Sequence, residues 1–339
     1  VIDLHVAEAK PTDAAALVGV IHAAFGARPP LNPPGTALQE TTESVEAALS
    51  AVGGLLAQVD GEPAGAILLA EIDGADHGGS TPELTRWLDL RRVSVHPKFQ
   101  NRGVATAMVG CAEEVAAARG LDGVRLVARA ELPATLAFWG HRGYVEVGRE
   151  GTTVHLAKRL PVELDAPAAQ DMRDVGRRLA AVLRAGDLVL LAGELGAGKT
   201  TLTQGIGAGL SVRGQVTSPT FVIARVHPST VQGPALVHVD AYRLGGVAEL
   251  DDLDLDASLD ETVTVVEWGE GLAEGLAGDR LEVVLSRSVG AAGATAEDQE
   301  DLRQVRIVPV GPRWLDVPLR VVLGAGPEEG VRGPAVAAD

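Results

Sequence analysis

A single cysteine, Cys111, stands among the 339 residues, which excludes an internal disulfide and reads as a buried thiol. Long apolar runs are missing as well. No stretch approaches the roughly eighteen consecutive apolar residues of a membrane span, and the opening VIDLHVAEAK lacks the charged start and apolar core of a signal peptide. These absences predict a cytoplasmic protein with no membrane attachment. Aromatic residues make up only 3% of the chain, so its cores must pack the small side chains of Ala, Val, Leu and Gly. Positive charge is scarce too: 29 Lys and Arg face 46 Asp and Glu, a net charge of −17. The deficit is −5 over residues 1–160 and −12 over the remainder. Nucleic-acid affinity comes mostly from Lys and Arg neutralising phosphates, so the chain is a poor independent RNA binder, and RNA chemistry would need partners to hold the RNA.

Lysine is rarer still, four residues against twenty-five arginines, and one of the four is Lys199. It lies in Gly193-Glu194-Leu195-Gly196-Ala197-Gly198-Lys199-Thr200, which reads G-x-x-x-x-G-K-[ST] and follows the apolar run Leu188-Val189-Leu190-Leu191-Ala192. A strand, a glycine loop and a helix opening at Lys199 are what a phosphate cradle needs. The loop turns successive N–H groups inward and the helix aims its positive dipole end at the same anion. In that arrangement Lys199 reaches the β- and γ-phosphates of a nucleotide and Thr200 places its hydroxyl on Mg²⁺. A compact ammonium suits the loop where a guanidinium fork would not.

Two later runs carry carboxylates at strand ends. Ala235-Leu236-Val237-His238-Val239-Asp240 is followed by Ala241-Tyr242-Arg243-Leu244, and Thr262-Val263-Thr264-Val265-Val266 ends in Glu267-Trp268-Gly269-Glu270. An open α/β sheet puts its ligands at such ends, so one or both acids are candidates to hold, with Thr200, the metal that bridges ATP phosphates. With Thr217-Ser218-Pro219-Thr220-Phe221, these pieces resemble the TsaE family, ATPases that assist in making threonylcarbamoyladenosine beside the anticodon of tRNAs. The family order of G-[DE]-L-G-A-G-K-T-T, S-P-T-[FY], H-x-D-x-Y-R-L and [VL]-E-W is present over roughly residues 165 to 315. The resemblance implies ATP held by Gly193 to Lys199 with Thr200 and Thr201, and Mg²⁺ held by Thr200 and Glu267. It implies Asp240 as a second acid near the metal, so that Lys199, Asp240 and Glu267 are the catalytic set. It also implies a switch-like loop over Ser218 to Phe221, and TsaD and TsaB proteins as partners that bring the tRNA. Many members carry Thr four residues before a conserved helix glycine; counting back from Gly176 reaches Met172.

The phosphate loop starts only after residue 190, so a separate domain must fill the first half. The sequence predicts a domain over 1–160, a linker over 161–169 (with prolines in LPVELDAPAA), a second domain over 170–321 and a flexible tail over 322–339. Residues 288 to 300 read as a loop, and the acids from Glu249 to Glu261 as a solvated helix face.

In the first half, Leu90-Arg91-Arg92-Val93-Ser94-Val95 reads as a strand, followed by His96 to Phe99, then Gln100-Asn101-Arg102-Gly103-Val104-Ala105, then an amphipathic helix to about Arg119. A Gly-bearing turn at a helix N-terminus again makes an anion site, here of the form [QR]-x-x-G-x-[GA]. A strand from Gly123 to Arg129 and the segment Ala137-Phe138-Trp139-Gly140-His141-Arg142-Gly143-Tyr144 come next. This series resembles the GNAT acyltransferases over roughly residues 3 to 159. The resemblance implies acetyl-CoA, with Gln100, Asn101, Arg102, Gly103, Val104 and Ala105 around the pyrophosphate and Val93, Ser94 and Val95 along the pantetheine amides. Many GNAT proteins place a general-acid Tyr where this chain has Trp139, whose indole N–H does not ionise in the working range. Glu71, Asp89 and His141 are candidates for the base, and the amine acceptor is undefined.

The expectation is therefore an α/β protein of two domains. A GNAT-like acyl-CoA fold, a mixed sheet with helices on both faces, is fused to a C-terminal P-loop NTPase domain that hydrolyses ATP within a tRNA-modifying assembly. A stand-alone P-loop kinase and a non-enzymatic scaffold are the alternatives; a guanine-specific protein is disfavoured because no N-K-x-D motif is present.

Overall fold

A computed structural model describes residues 2–73, 85–219, 222–253, 255–288 and 302–325. The chain divides into two compact units that part between Leu160 and Pro161.

In the first unit the elements follow as β1 (Leu4–Glu8), α1 (Ala14–Gly26), α2 (Thr42–Ala51), β2 (Gly54–Val59), β3 (Glu62–Asp73), β4 (Arg86–Val95), α3 (Val104–Ala118), β5 (Gly123–Arg129), α4 (Pro133–His141), β6 (Val145–Glu150) and β7 (Thr153–Arg159). Local chemistry sets several boundaries. Thr41 and Ser44 cap the start of α2 reciprocally, each hydroxyl accepting the other's backbone N–H, and α4 begins on Pro133, where a missing N–H costs nothing. The sheet runs β1-β2-β3-β4-β5-β7-β6 and is mixed, since β4 and β5 are parallel while the other neighbours are antiparallel. Helices α1 and α2 cover one face through Leu17, Ile21, Val45 and Leu49 against Ala66 and Leu68. Helices α3 and α4 cover the other through Met108, Ala112 and Trp139 against Ile67, Leu88 and Leu126.

One feature of this sheet prepares a site. Strands β4 and β5 pair only from Trp87 to Leu90 with Gly123 to Leu126. Beyond that β4 runs on to Val95 and β5 to Arg129 without a shared ladder, and a register shift opposite Ala66 to Leu68 bends β4 where Arg92 takes a φ of 54°. The two strands splay, and the backbone groups of Val93 to Val95 on the β5 side are left for another partner.

The second unit holds β8 (Val162–Asp165), α5 (Ala169–Ala180), β9 (Leu188–Gly193), α6 (Lys199–Gly209), β10 (Ala224–His227), β11 (Ala235–Asp240), α7 (Val247–Asp251), α8 (Asp256–Leu259), β12 (Thr262–Glu267), β13 (Arg280–Ser288), β14 (Leu302–Val310) and α9 (Leu319–Leu323). The sheet order is β10-β11-β12-β9-β13-β14-β8, with β11, β12, β9 and β13 parallel. Every residue of β12 is buried, Thr262, Thr264 and Glu267 included, as in a parallel strand covered on both faces. Helices α5 and α6 lie on the face that carries Val189, Leu191, Leu236, Val263 and Val265.

The stretch expected to be a linker is instead an edge strand. Val162 to Asp165 pair antiparallel with β14, from Val162 opposite Ile307 to Asp165 opposite Gln304, and Val162 is buried. Pro161 and Pro167 flank these four residues, where they remove no ladder bond, so two prolines bracket a strand without breaking it. The expected tail starts too early as well: α9 carries Leu323 fully into the core. Residues 326–339, and residues 289 to 300 of the expected loop, lie outside the described residues. Two short helices, α7 and α8, stand where one acidic helix face was expected; Leu250, Leu255 and Leu259 are their buried side.

Candidate functional sites

At the second unit's parallel strand ends, β11 and β12 stop level with each other, Asp240 opposite Glu267 and Glu267 opposite Leu191 of β9. Side chains alternate along a strand, so Asp240 and Glu267 share the face of Leu236 and Leu191, the face against which α6 packs. The loop after β9 returns the chain to that face. Gly198 makes the entry to α6 possible: its φ of 111° is left-handed, and Lys199 and Thr200 then occupy the first helical turn.

Lys199, Asp240 and Glu267 are each 5% exposed or less, so three charged groups sit together out of water. The Lys199 Nζ donates to the carbonyls of Gly193 at 2.7 Å and Glu194 at 3.0 Å, and stands 3.6 Å from the centre of the Trp268 ring. Burial pulls its ammonium below the ordinary lysine value, while Glu267 and Asp240 act in the opposite direction. Thr200 Oγ1 donates to Glu267 Oε2 at 3.1 Å, and Glu267 Oε1 accepts from His238 Nε2 at 2.8 Å. Asp240 is engaged differently: Oδ2 accepts from Ser218 Oγ at 2.9 Å and Oδ1 from the Tyr242 backbone N–H at 3.1 Å. It therefore ties the segment around Ser218 to the strand end. Thr220 and Phe221 of the expected switch loop lie outside the described residues.

Glu194, Leu195 and Gly196 form the exposed rim of the loop, Leu195 at 83% exposure, while Ala197 is buried and Thr201 half-buried inside α6. Met172 is fully buried, and a Cβ on Gly198 would stand 3.3 Å from its Cε, so its side chain packs beneath the loop. Sequence reasoning gave no role to His238 or Trp268. His238 was visible only as a letter of a motif, and the φ of 62° at Trp268, which turns its ring over Lys199, has no mark in the sequence.

The first unit holds a cavity of about 1070 Å³ where β4 and β5 splay. Val93, Ser94, Val95, Gln100 and Ala105 line it, as do Phe138 and Trp139 of α4. Asn101, Arg102 and Gly103 form the exposed turn at the start of α3, and Val104 points into the core. Gly103 has a φ of 80° and open space where a Cβ would stand, so the approach to the α3 N-terminus is clear. Among the base candidates, Asp89 lines this cavity, its carboxylate 2.8 Å from Arg91 Nε. Glu71, on β3, pairs with Arg86 and Arg119, and His141 Nδ1 donates to the Ala137 carbonyl; neither Glu71 nor His141 lines the cavity. Trp139 is buried, edge-on to Phe138 and Tyr144. The Tyr144 hydroxyl donates to Glu113 at 3.1 Å, and burial together with that carboxylate raises its pKa well above the ordinary tyrosine value, so it does not replace the absent acid.

The family model described as Threonylcarbamoyl adenosine biosynthesis protein TsaE matches residues 166–292, and that of the Acetyltransferase (GNAT) family matches residues 27–144. A Streptomyces coelicolor protein, tRNA threonylcarbamoyladenosine biosynthesis protein TsaE, is 59% identical over 154 residues, which is 45% of this chain and 100% of that relative. The chain belongs to the TsaE family. A Mycobacterium tuberculosis TsaE of the same description is 52% identical over 128 residues, 36% of this chain and 76% of its own length. The TsaE sequence lies in the second unit and a GNAT domain precedes it, so the chain is a fusion of the two. A crystal structure of a GNAT-family acetyltransferase from Streptococcus pneumoniae covers 47% of this chain and 99% of that one at 21% identity, with a TM-score of 0.39.

Proposed function

We propose that the TsaE half binds Mg-ATP and hydrolyses it within the cytoplasmic assembly that makes threonylcarbamoyladenosine in tRNA, with TsaD and TsaB proteins as partners. The observation that carries this is the meeting of Thr200 and Glu267 at 3.1 Å beside the buried Lys199, at the N-terminus of α6. The names of the TsaE relatives support the tRNA product. The net charge of −12 beyond residue 160 supports a role in which other proteins hold the RNA.

The donor set suits Mg²⁺. A hydroxyl and a carboxylate are hard oxygen ligands, and Asp240 lies level with Glu267 on the next strand. No cluster of three His, Cys, Asp or Glu side chains forms a protein-only cage among the described residues, which fits a cation that arrives on phosphates. When bound, Mg²⁺ neutralises charge that develops on the transferring phosphoryl group. On ATP binding Lys199 exchanges the Gly193 and Glu194 carbonyls for phosphate oxygens. Thr200 through its hydroxyl and Glu267 through its carboxylate would hold the cation, and the loop N–H groups would hold the phosphates in line. The Trp268 ring shields one side of the ammonium from water.

The GNAT half, in the same proposal, binds acetyl-CoA and transfers its acetyl group to an amine. The free backbone edge of Val93 to Val95 and the α3 N-terminus support it. The amine attacks the thioester carbonyl, the C–S bond breaks, and the proton lost by the amine passes to Asp89, directly or through water. CoA leaves as a thiolate and takes its proton from solvent, since the Trp139 indole cannot supply one.

Titration calorimetry of the full chain with ATP, with and without Mg²⁺, and separately with acetyl-CoA, tests both halves. Mg²⁺-dependent tightening of ATP and saturable acetyl-CoA binding are expected. ATP binding indifferent to Mg²⁺ overturns the first assignment, and no heat with millimolar acetyl-CoA overturns the second.

A further inference from the structure

We infer that His238 is the positioning residue of the metal site, holding one oxygen of Glu267 so that only the other is offered to the cation. This deepens the reading above and rests on Glu267 being the carboxylate that faces the metal.

Register comes first. His238 on β11 stands opposite Val265 on β12, two residues before Glu267, so both side chains project on the same face of adjacent strands. The His238 ring is fully buried and its Nε2 lies 2.8 Å from Glu267 Oε1. An ionised carboxylate only accepts hydrogen bonds, so Nε2 carries the hydrogen and donates it. Oε2 is left on the side of Thr200, whose hydroxyl it meets at 3.1 Å. The two oxygens thus have fixed and different neighbours, one inside the sheet and one toward the phosphate loop. Magnesium demands near-octahedral ligands at short range, and a carboxylate pinned by one oxygen presents one ligand in one direction.

Among the described residues the same ring has no hydrogen-bond partner for Nδ1. A buried nitrogen without a partner destabilises the fold, and a Leu or Val at this place in the sheet would pack without that cost. The surrounding strand positions hold such residues: Leu236, Val237, Val239, Val263 and Val265. A ring retained against that cost is accounted for by the hydrogen bond it makes to Glu267.

The test separates reach from bulk. His238→Gln keeps an amide N–H at about the distance of Nε2; His238→Asn carries the same group one carbon short. Binding of a fluorescent ATP analogue is titrated with Mg²⁺ in the full chain, alongside binding in EDTA and a thermal melt. Wild type and H238Q are expected to half-saturate at similar Mg²⁺ concentrations. H238N should require about tenfold to a hundredfold more, with affinity in EDTA unchanged. In a Glu267→Gln background, H238N should add no further shift. Equal Mg²⁺ midpoints for wild type, H238N and H238Q, or equal losses in H238N and H238Q, overturn the inference while leaving the metal site standing. A wild type whose analogue binding ignores Mg²⁺ overturns the underlying reading instead. If H238N melts below the assay temperature, the H238Q midpoint decides: a shift matching that of Glu267→Gln contradicts the positioning role.

Discussion

The glycine loop Gly193–Thr200 and the turn Gln100–Ala105 share a backbone plan. Each follows a strand, each ends in a left-handed glycine, with φ of 111° at Gly198 and 80° at Gly103, and each opens a helix of three turns or more. What stands behind them differs. Behind the first lie Lys199, Asp240 and Glu267, all charged and all buried. Behind the second lie the unpaired edge of Val93 to Val95 and the largely apolar wall of Leu126, Phe138 and Trp139. The first is built from side chains that are costly to bury, the second from backbone and shape. Charged groups kept out of water at strand ends leave a specific mark in a sequence, because few other purposes justify them. Backbone edges and cavities leave almost none.

The largest effect that sharpens this contrast belongs to Glu267. Glu267→Gln should lower ATP turnover by about a thousandfold, about 4 kcal/mol of charge stabilisation, while nucleotide binding in EDTA is kept. Phosphate release and analogue binding measured on one preparation check the split. A similar loss of both would make the residue structural. In the other half, Asp89→Asn should slow acetyl transfer about a hundredfold, and Glu71→Gln should leave it unchanged, because only Asp89 lines the cavity. Steady-state rates with a panel of amines provide the readout, and equal effects of the two substitutions would remove Asp89 as the base.

Lys199→Ala follows. It should weaken ATP by about 2–3 kcal/mol, roughly a hundredfold in calorimetry, because one charge-assisted contact to phosphate is lost. Folding should survive, since the hydrogen bonds of the ammonium run to the carbonyls of Gly193 and Glu194 in its own loop. Unchanged affinity would break the comparison by removing the charged grip from the first loop. The smallest effect is at the second loop. Gly103→Val should weaken acetyl-CoA by about tenfold and cost about 1–2 kcal/mol in stability, since a β-branched residue resists a φ of 80° and fills the open approach to α3. A binding change without any stability change would place the effect in the approach alone.

Much of this is legible in the sequence. Gly193 to Thr200 marked the loop that joins β9 to α6, and the runs ending in Asp240 and Glu267 marked strand ends that the parallel register brings level. The rest depended on contacts far apart in sequence. Val162 to Asp165 became a strand only because β14, some 140 residues later, offers an edge for it. Glu71 and Asp89 are equally acidic strand residues; the pairing of Glu71 with Arg86 and Arg119, and the splay of β4 from β5, separate their surroundings. Asp240 and Glu267 look equivalent as strand-end acids, yet Ser218 holds one and Thr200 with His238 the other. No periodicity or motif spacing encodes which hydroxyl reaches which carboxylate.

We propose that the buried charges around Glu267 form an ATPase site that waits for its assembly. Its most direct test is phosphate release by the full chain, alone and with purified TsaD and TsaB proteins. Slow turnover alone is expected, with a rise of about tenfold or more with the partners, abolished by Glu267→Gln, because a P-loop site stays slow until a group aimed at the γ-phosphate is supplied or ordered. Fast turnover by the isolated chain, unaltered by either partner, would contradict it.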